Sequence, residues 1–238
     1  LSTPFAAPER VRLPLRTRLS SLMAIAAATP LTRLPPRLLR PILELASRRA
    51  RPASAAQTSA AREAIVASSI RCAVNGCLKR SIATALLCRT RGVWPTWQLG
   101  ARTMPFGAHA WVEAEGTMIG EPVPEGYYVP LITVAPPRPE APRGRWRTTG
   151  GTGILRLHRD ALTADTGDGA VLLNQRTGHY WQLNHTGADS LRRLLAGQSV
   201  QDAAHDYAAE YGIEPSEAHQ DITAMTGQLL EAGFLTRA

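Results

Sequence analysis

The sequence predicts an α+β chain in two modules, residues 1–135 and 154–238, joined by a linker over residues 136–153. Three observations predict it. A helical spacing that starts at Cys77 is followed by an alternating strand, Ala108 to Glu113, so the first module mixes helix with sheet. The segment from Pro136 to Gly153 is rich in Pro, Arg and Gly and has little to bury, which is the composition of a linker. Beyond Leu155, three short strand patterns give way to three helical ones.

The 238 residues suffice for one sizeable domain or two small ones. Charge is unevenly spread. Residues 1–51 carry ten Arg against two Glu, a net of +8, residues 52–153 carry eleven Lys and Arg against six acids, +5, and residues 154–238 carry six Arg against eleven acids, −5. An acidic second module counts against nucleic-acid binding by phosphate neutralisation. Three cysteines form no paired framework and fit reduced use in the cytoplasm. No run approaches the roughly 20 apolar residues of a membrane helix, so no membrane span is expected. The chain opens on Leu1 rather than Met, and a trimmed or incompletely translated start is expected.

The N-terminal segment is rich in Arg, Ala and Leu, with prolines limiting its helices to Arg16–Ala28 and Arg37–Ser47. Such a start also suits a transit peptide or a surface-binding helix, but the reading adopted is a helical part of the first module. Residues 52–59 read as a loop and Ala60–Ser69 as a helix feeding the Cys77 turn.

At Leu78, Ile82, Ala85 and Leu86 the apolar residues keep one helical face, and Gly92 supplies the stop. Cys77 therefore falls in the first turn, where unpaired backbone N–H groups and the helix dipole favour the thiolate. Asn75-Gly76 just before it is a turn signal. A strand interrupted near Pro95 spans Val93 to Arg102, and Met104 to Gly107 turns into the next. That next strand places His109, Trp111 and Glu113 on one face.

A three-residue hairpin loop, Ala114-Glu115-Gly116, sets Glu113 opposite Thr117 and His109 opposite Glu121. Directly opposed residues share a face, so Glu121 is placed to orient the imidazole, the third role in a Cys–His–carboxylate set. Glu113 or an asparagine is the alternative for that role. Trp111, on the His109 face, is placed to shield the Cys–His pair from water or to wall a substrate site, and to pack over the Cys77 helix, roles that are compatible. Tyr127 to Val134 closes the sheet. Cys72, Cys77, Cys88 and His109 lack recognised zinc-ligand spacing, so Cys72 and Cys88 read as structural, and neither metal nor cofactor is expected.

In the second module Leu157–Ala164, Ala170–Asn174 and His179–Leu183 read as strands, and Thr186–Ala196, Val200–Tyr211 and Ser216–Ala232 as helices. Ser199 with Asp202 opens the second helix, Gly212 closes it and Pro215 begins the third. The order is that of a winged helix-turn-helix. His158, His179, His185, His205 and His219 read as surface residues.

The run Cys77-Leu-x-Arg80-Ser81, then Arg91-Gly-Val93, Pro105-Phe-x-Ala-His109-Ala-Trp111-Val-Glu113 and Gly120-Glu121-Pro122 resembles the transglutaminase-like leader peptidases of lasso-peptide biosynthesis, over about residues 10–135. The resemblance implies a papain-like cysteine protease fold with Cys77 as nucleophile and His109 as base, cutting the leader from a ribosomally made precursor. It also implies an ATP-dependent macrolactam synthetase as partner. That family more often has Asp where Glu121 stands.

The tail motifs Leu172-Leu-Asn174, Gly178-His-Tyr-Trp-Gln-Leu-Asn184, Gly187-Ala188 and Asp221…Leu229-Leu-Glu-Ala-Gly-Phe-Leu235 resemble the peptide-chaperone family of pyrroloquinoline-quinone biosynthesis. That likeness implies a leader added as a further strand beside His179–Leu183, reaching a groove under the third helix. By alternation and helical spacing the candidate groove residues are Tyr180, Gln182, Ile222, Met225 and Leu229, each equally suited to plain core.

The reading is thus a two-module leader peptidase whose second module recognises the precursor. In the families it resembles, the recognition module usually comes first or on a separate chain, so this order suggests a fusion. A non-catalytic precursor carrier and a winged-helix DNA binder are the rivals, the second disfavoured by the acidic tail.

Overall fold

A computed structural model describes residues 13–70, 72, 76–124, 126–137 and 155–237. The linker expected over residues 136–153 lies outside the described residues from position 138 on, as does Asn75 of the turn before Cys77. The chain divides into two compact units, the first holding most of the residues up to 139 and the second holding residues from 140 on together with segments 35–37 and 101–107. No helix among the described residues is long and apolar enough to cross a membrane.

The first unit is organised around one buried helix. In chain order it contains α1 (Leu15–Leu31), α2 (Pro36–Ser47), β1 (Arg51–Pro52), α3 (Ala55–Ser68) and α4 (Cys77–Thr90). The strands β2 (Val93–Trp94), β3 (Thr96–Arg102), β4 (Gly107–Ala114), β5 (Thr117–Met118) and β6 (Val129–Val134) follow. Helix α4 packs against both α1 and α3, and its residues Arg80 to Ala85, Leu87 and Cys88 are buried. The face that α1 buries is Ser21, Ala24 and Ala28, small side chains that let helices approach closely.

Sheet order is β5-β4-β3-β6, with β1 and β2 forming a separate parallel pair. Two fully buried indoles tie strands to their surroundings: Trp97 Nε1 donates to Ser81 Oγ on α4 at 3.0 Å, and Trp94 Nε1 donates to the Val134 carbonyl at 3.1 Å. Pro95, which has no N–H to give a ladder, separates β2 from β3 as its position predicts.

Two local expectations are corrected. Residues 52–59 are not a loop throughout, because Ser54 and Gln57 form a reciprocal capping box and start α3 at Ala55. Ser54 Oγ accepts from the Gln57 N–H at 3.2 Å, and Gln57 Oε1 accepts from the Ser54 N–H at 3.0 Å, satisfying two otherwise orphaned donors. The β4–β5 hairpin also has a two-residue loop rather than three. Glu115 (φ 55°) and Gly116 (φ 81°) both adopt the positive φ of a type I′ turn, so Glu113 pairs with Met118 and not with Thr117.

The second unit has β7 (Leu155–Leu157), β8 (Ala161–Thr166), β9 (Gly169–Asn174) and β10 (Tyr180–Asn184), then α5 (His185–Leu195), α6 (Val200–Tyr211), α7 (Pro215–Glu231) and β11 (Leu235–Arg237). Antiparallel pairing in the order β10-β9-β8 builds the wing, and β9 is buried along its whole length. The strand expected over Leu157–Ala164 is broken by a turn in which the Ala161 N–H donates to the His158 carbonyl. Only Leu157 of it belongs to β7, which pairs instead with β11, a strand beyond the last expected helix that the sequence pattern had not marked. Leu172, Leu183, Leu191, Leu229 and Phe234 form the core between sheet and helices. The caps fall where the residues dictate: Ser199 accepts from the Asp202 N–H, Gly212 (φ 69°) ends α6 and Pro215 opens α7.

Candidate active site

Cys77 is the first residue of α4, preceded by Gly76, which offers no side-chain cap to the helix. The first-turn N–H groups are thus left to other acceptors, and the sulfur takes hydrogen bonds from the backbone N–H groups of Leu78 and Ala110. Ala110 belongs to β4, so the nucleophile's helix and the histidine strand meet at the sulfur itself.

His109 on β4 completes that meeting. Its ring hydrogen-bonds Cys77, and its Nε2 lies 3.0 Å from Glu121 Oε2, leaving Nδ1 as the nitrogen for the sulfur. Tyr128 stacks on the imidazole at 4.8 Å between centroids and 22°, and Trp111 lies parallel at 6.2 Å and 11°. These aromatic faces fix the ring plane.

Glu121 arrives by a route other than strand pairing. Strand β5 ends at Met118, Gly120 turns the chain at φ 69°, and the carboxylate is swung to the imidazole from outside the ladder. Its other oxygen, Oε1, accepts from Arg80 Nη2 at 3.1 Å and from Arg62 Nη2 at 3.2 Å. Arg80 in turn donates Nη1 to the Cys72 carbonyl at 3.0 Å. Gly120 leaves room for the Arg62 guanidinium, which a β-carbon at that position would meet.

The electrostatics follow from these contacts. The Cys77 thiol is held below its usual range, chiefly by the His109 hydrogen bond and against the opposing effect of burial. For His109 burial disfavours the cation, yet hydrogen bonds to Cys77 and Glu121 and the charges of both outweigh it and raise the ring to about 9. Burial likewise opposes the Glu121 carboxylate, and the His109 hydrogen bond with the Arg80, His109 and Arg62 charges still holds it ionised below the ordinary carboxyl range. Thiol and ring thus each stabilise the charged form of the other, which draws the pair toward thiolate and imidazolium. Cys88 behaves oppositely, burial pushing its thiol up to about 11. Among the described residues no three His, Cys, Asp or Glu side chains are placed to hold a metal ion.

Of the residues singled out in the sequence, Cys77, His109 and Glu121 converge. Trp111 is enclosed, only 2 % exposed, parallel to the His109 ring and over the space that Gly100 leaves, which is the packing role expected for it. Arg80, Arg62 and Tyr128 escaped the sequence reading. Arg80 alone left a signal, standing three residues after Cys77 and so on the same side of the helix.

In the second unit a groove of about 490 Å³ opens between β10, α5 and α7. Gln182, Ile222 and Met225 line it, together with Trp181, Leu183 and Tyr207. Two other candidates are corrected. Leu229 shares the helix face of Ile222 and Met225 but lies one turn further along, fully buried beneath the sheet with Phe234. Tyr180 shares the strand face of Gln182, but the groove opens only against β10 from Trp181 onward. Strand β10 pairs with β9 on one side and stands at the edge of its sheet among the described residues.

An α+β body carrying a paired cysteine and histidine, followed by a winged module whose β10 stands at a sheet edge among the described residues, defines the class. Residues 21–133 match the transglutaminase-like superfamily, and residues 169–235 match coenzyme PQQ synthesis protein D (PqqD). The chain is thus a transglutaminase-like domain followed by a PqqD domain. Among solved structures it is similar to a lasso peptide synthetase B1 complexed with the leader peptide, at 41% identity over 35% of this chain and 98% of that one, with a TM-score of 0.34. It is also similar to TbiB1 in complex with the TbiA(beta) leader peptide, at 22% identity over 34% of this chain and 93% of that one, with a TM-score of 0.32. A comparison with curated proteins returned no match.

Proposed function

We propose that this chain is a leader peptidase of a lasso-peptide pathway, its PqqD domain holding the leader and its transglutaminase-like domain cutting the precursor. The observation that carries the reading is the continuous chain of hydrogen bonds from Cys77 through His109 to Glu121, in which the ring lowers the thiol and the thiol raises the ring.

In this mechanism the Cys77 thiolate attacks the carbonyl at the end of the leader. The backbone N–H of Cys77, first in its helix, serves the developing oxyanion. As the tetrahedral intermediate collapses, the imidazolium gives its proton to the leaving amine of the core peptide, and the leader remains on sulfur as a thioester. Neutral His109 then takes a proton from water, hydroxide replaces the thiolate at the carbonyl, and the leader departs with a free carboxylate. Glu121 keeps the imidazole in one orientation and stabilises its cation through both proton transfers.

Support for leader capture comes from the groove beside β10, an edge strand among the described residues, and from the 41% identity to a protein recorded with a leader peptide. An extended peptide adding to that edge gains affinity from backbone hydrogen bonds and register from alternate side chains, some of which enter the groove at Ile222 and Met225. Holding the leader on the same chain raises the effective concentration of the scissile bond at Cys77. The freed amine of the core then suits an ATP-dependent macrolactam synthetase, and the three free thiols suit a reducing cytoplasm.

The test is incubation with the precursor, with and without the synthetase, read by mass spectrometry. Wild type releases leader and core, and Cys77→Ala binds the leader without releasing either. A wild type that binds the precursor and never cuts it, even beside the synthetase, is a carrier rather than a peptidase.

A further inference from the structure

The groups that meet Glu121 raise a question the Cys–His pair does not answer: what stops a buried carboxylate at the end of a short loop from rotating away from the imidazole? Only one of its oxygens, Oε2, serves His109, while Oε1 receives two guanidinium groups. The two are not equivalent. Arg62 makes one contact from α3, whereas Arg80 reaches from the cysteine's own helix and spends its two terminal nitrogens on two separate elements. Nη2 holds Glu121, and Nη1 holds the Cys72 carbonyl in the segment leading into Cys77. The Arg80 side chain is only 10 % exposed and that of Glu121 9 %, so water offers neither a ready substitute partner.

We propose that Arg80 is a positioning residue of this site: its guanidinium fork fastens the Glu121 carboxylate and the approach to Cys77 to one helix, so that sulfur, imidazole and carboxylate keep a common geometry. The inference rests on the peptidase reading for its purpose, but not for its measurement. A planar fork with donors fixed in direction can hold two acceptors at once, which the point charge of an ammonium does not reproduce. Fork and charge therefore separate experimentally. If Arg80 acts only as a nearby positive charge, lysine replaces it, and removing the charge leaves the carboxylate freer to stabilise the imidazolium. If it acts through geometry, lysine fails and the imidazolium loses its partner.

The experiment measures the rate of Cys77 carboxamidomethylation by iodoacetamide across pH in the full chain, for wild type, Arg80→Lys and Arg80→Gln, with cleavage of the precursor followed in parallel. Positioning predicts that both variants shift Cys77 ionisation upward by about one pH unit and lower kcat at least tenfold with KM unchanged. It also predicts that Arg80→Lys has a smaller effect in a Glu121→Gln background, because one of the two ties the arginine makes runs through that carboxylate while the tie to the Cys72 carbonyl remains. An Arg80→Lys profile that coincides with wild type overturns the proposal, as does a loss in Arg80→Lys that is undiminished in the Glu121→Gln background. Failure of both single variants to fold overturns it too, since Arg80 would then be a general tie of the fold. Should the alkylation profiles shift as expected while wild type leaves the precursor intact, the positioning role stands and the peptidase reading falls.

Discussion

Replacing Glu121 by Gln should narrow the pH–rate bell from both sides. The substitution keeps size and an accepting oxygen but removes the charge that faces His109. The ring stands at about 9, against 6.5 for an unperturbed histidine, although burial alone would lower it. Cys77 and Glu121 share that rise, each through a hydrogen bond and a charge. If Glu121 supplies about half, its loss brings the alkaline limb down by at least about one unit, or about 1.4 kcal/mol. Arg80 and Arg62 then face the imidazolium without an intervening carboxylate, which adds to the fall. Because the His109 hydrogen bond is the leading cause of the lowered Cys77 thiol, the acid limb moves up as the imidazolium becomes harder to form. The assay is kcat/KM for precursor cleavage against pH, which reports the free-enzyme groups, with iodoacetamide alkylation as an independent reading of the acid limb. Limbs that stay in place in Glu121→Gln would refute the reasoning.

Other outcomes follow from particular contacts. His109 is raised on folding, so its own contribution to stability is fully present below about 6.5 and fades as pH climbs through about 9, whereas Cys77, lowered from 9.0, contributes an opposing slope over the same range; the melting temperature should therefore fall over that window in Cys77→Ser, where only the histidine slope remains, and fall less in Cys77→Ser with His109→Asn. Glu121 is lowered, so its contribution is present above the ordinary carboxyl range and is lost on acidification, a loss that Glu121→Gln should not show in an acid melting series. Met225→Ala removes apolar contact from the groove and should weaken leader binding about tenfold, for a loss of about 1.5 kcal/mol, while Cys77 alkylation is unchanged; calorimetric titration with the leader decides. Ser54→Ala breaks the capping box of α3 and should cost about 1 kcal/mol in chemical denaturation without altering the groove.

The two ends of the reactive pair were legible because each lies inside a local pattern: Cys77 opens a helical spacing and His109 sits in a strict alternation. The third partner was reached through a register that does not exist. A two-residue turn at Glu115-Gly116 shifts the pairing by one, which by alternation alone would have carried Glu121 to the opposite face. The ladder stops at Met118 before that shift matters, and Gly120 redirects the carboxylate. The contacts that Arg80 and Arg62 make with Glu121 were hidden for a related reason, since they span 41 and 59 residues of chain, although the place of Arg80 one turn after Cys77 was a signal.

Burial was the other quantity that pattern does not give. Alternation places Trp111 beside His109, but only the packed sheet, with Gly100 leaving space and Tyr128 stacked on the histidine ring, shows that the indole is enclosed. Helical spacing likewise groups Leu229 with Ile222 and Met225 without showing that the core begins one turn beyond the groove. In the second unit, turns and caps marked by Gly212, Pro215 and Ser199 fell into place because each acts through its own backbone, whereas the β7–β11 pairing depends on residues about 80 positions apart.

The central claim is that Cys77 is the atom on which the precursor is opened. Intact-mass spectrometry of the chain, quenched in acid at short times after mixing with the precursor, tests it most directly. The account predicts a transient adduct of leader mass confined to Cys77, appearing as free core accumulates and absent from Cys77→Ala. Release of core by Cys77→Ala at the wild-type rate would contradict it.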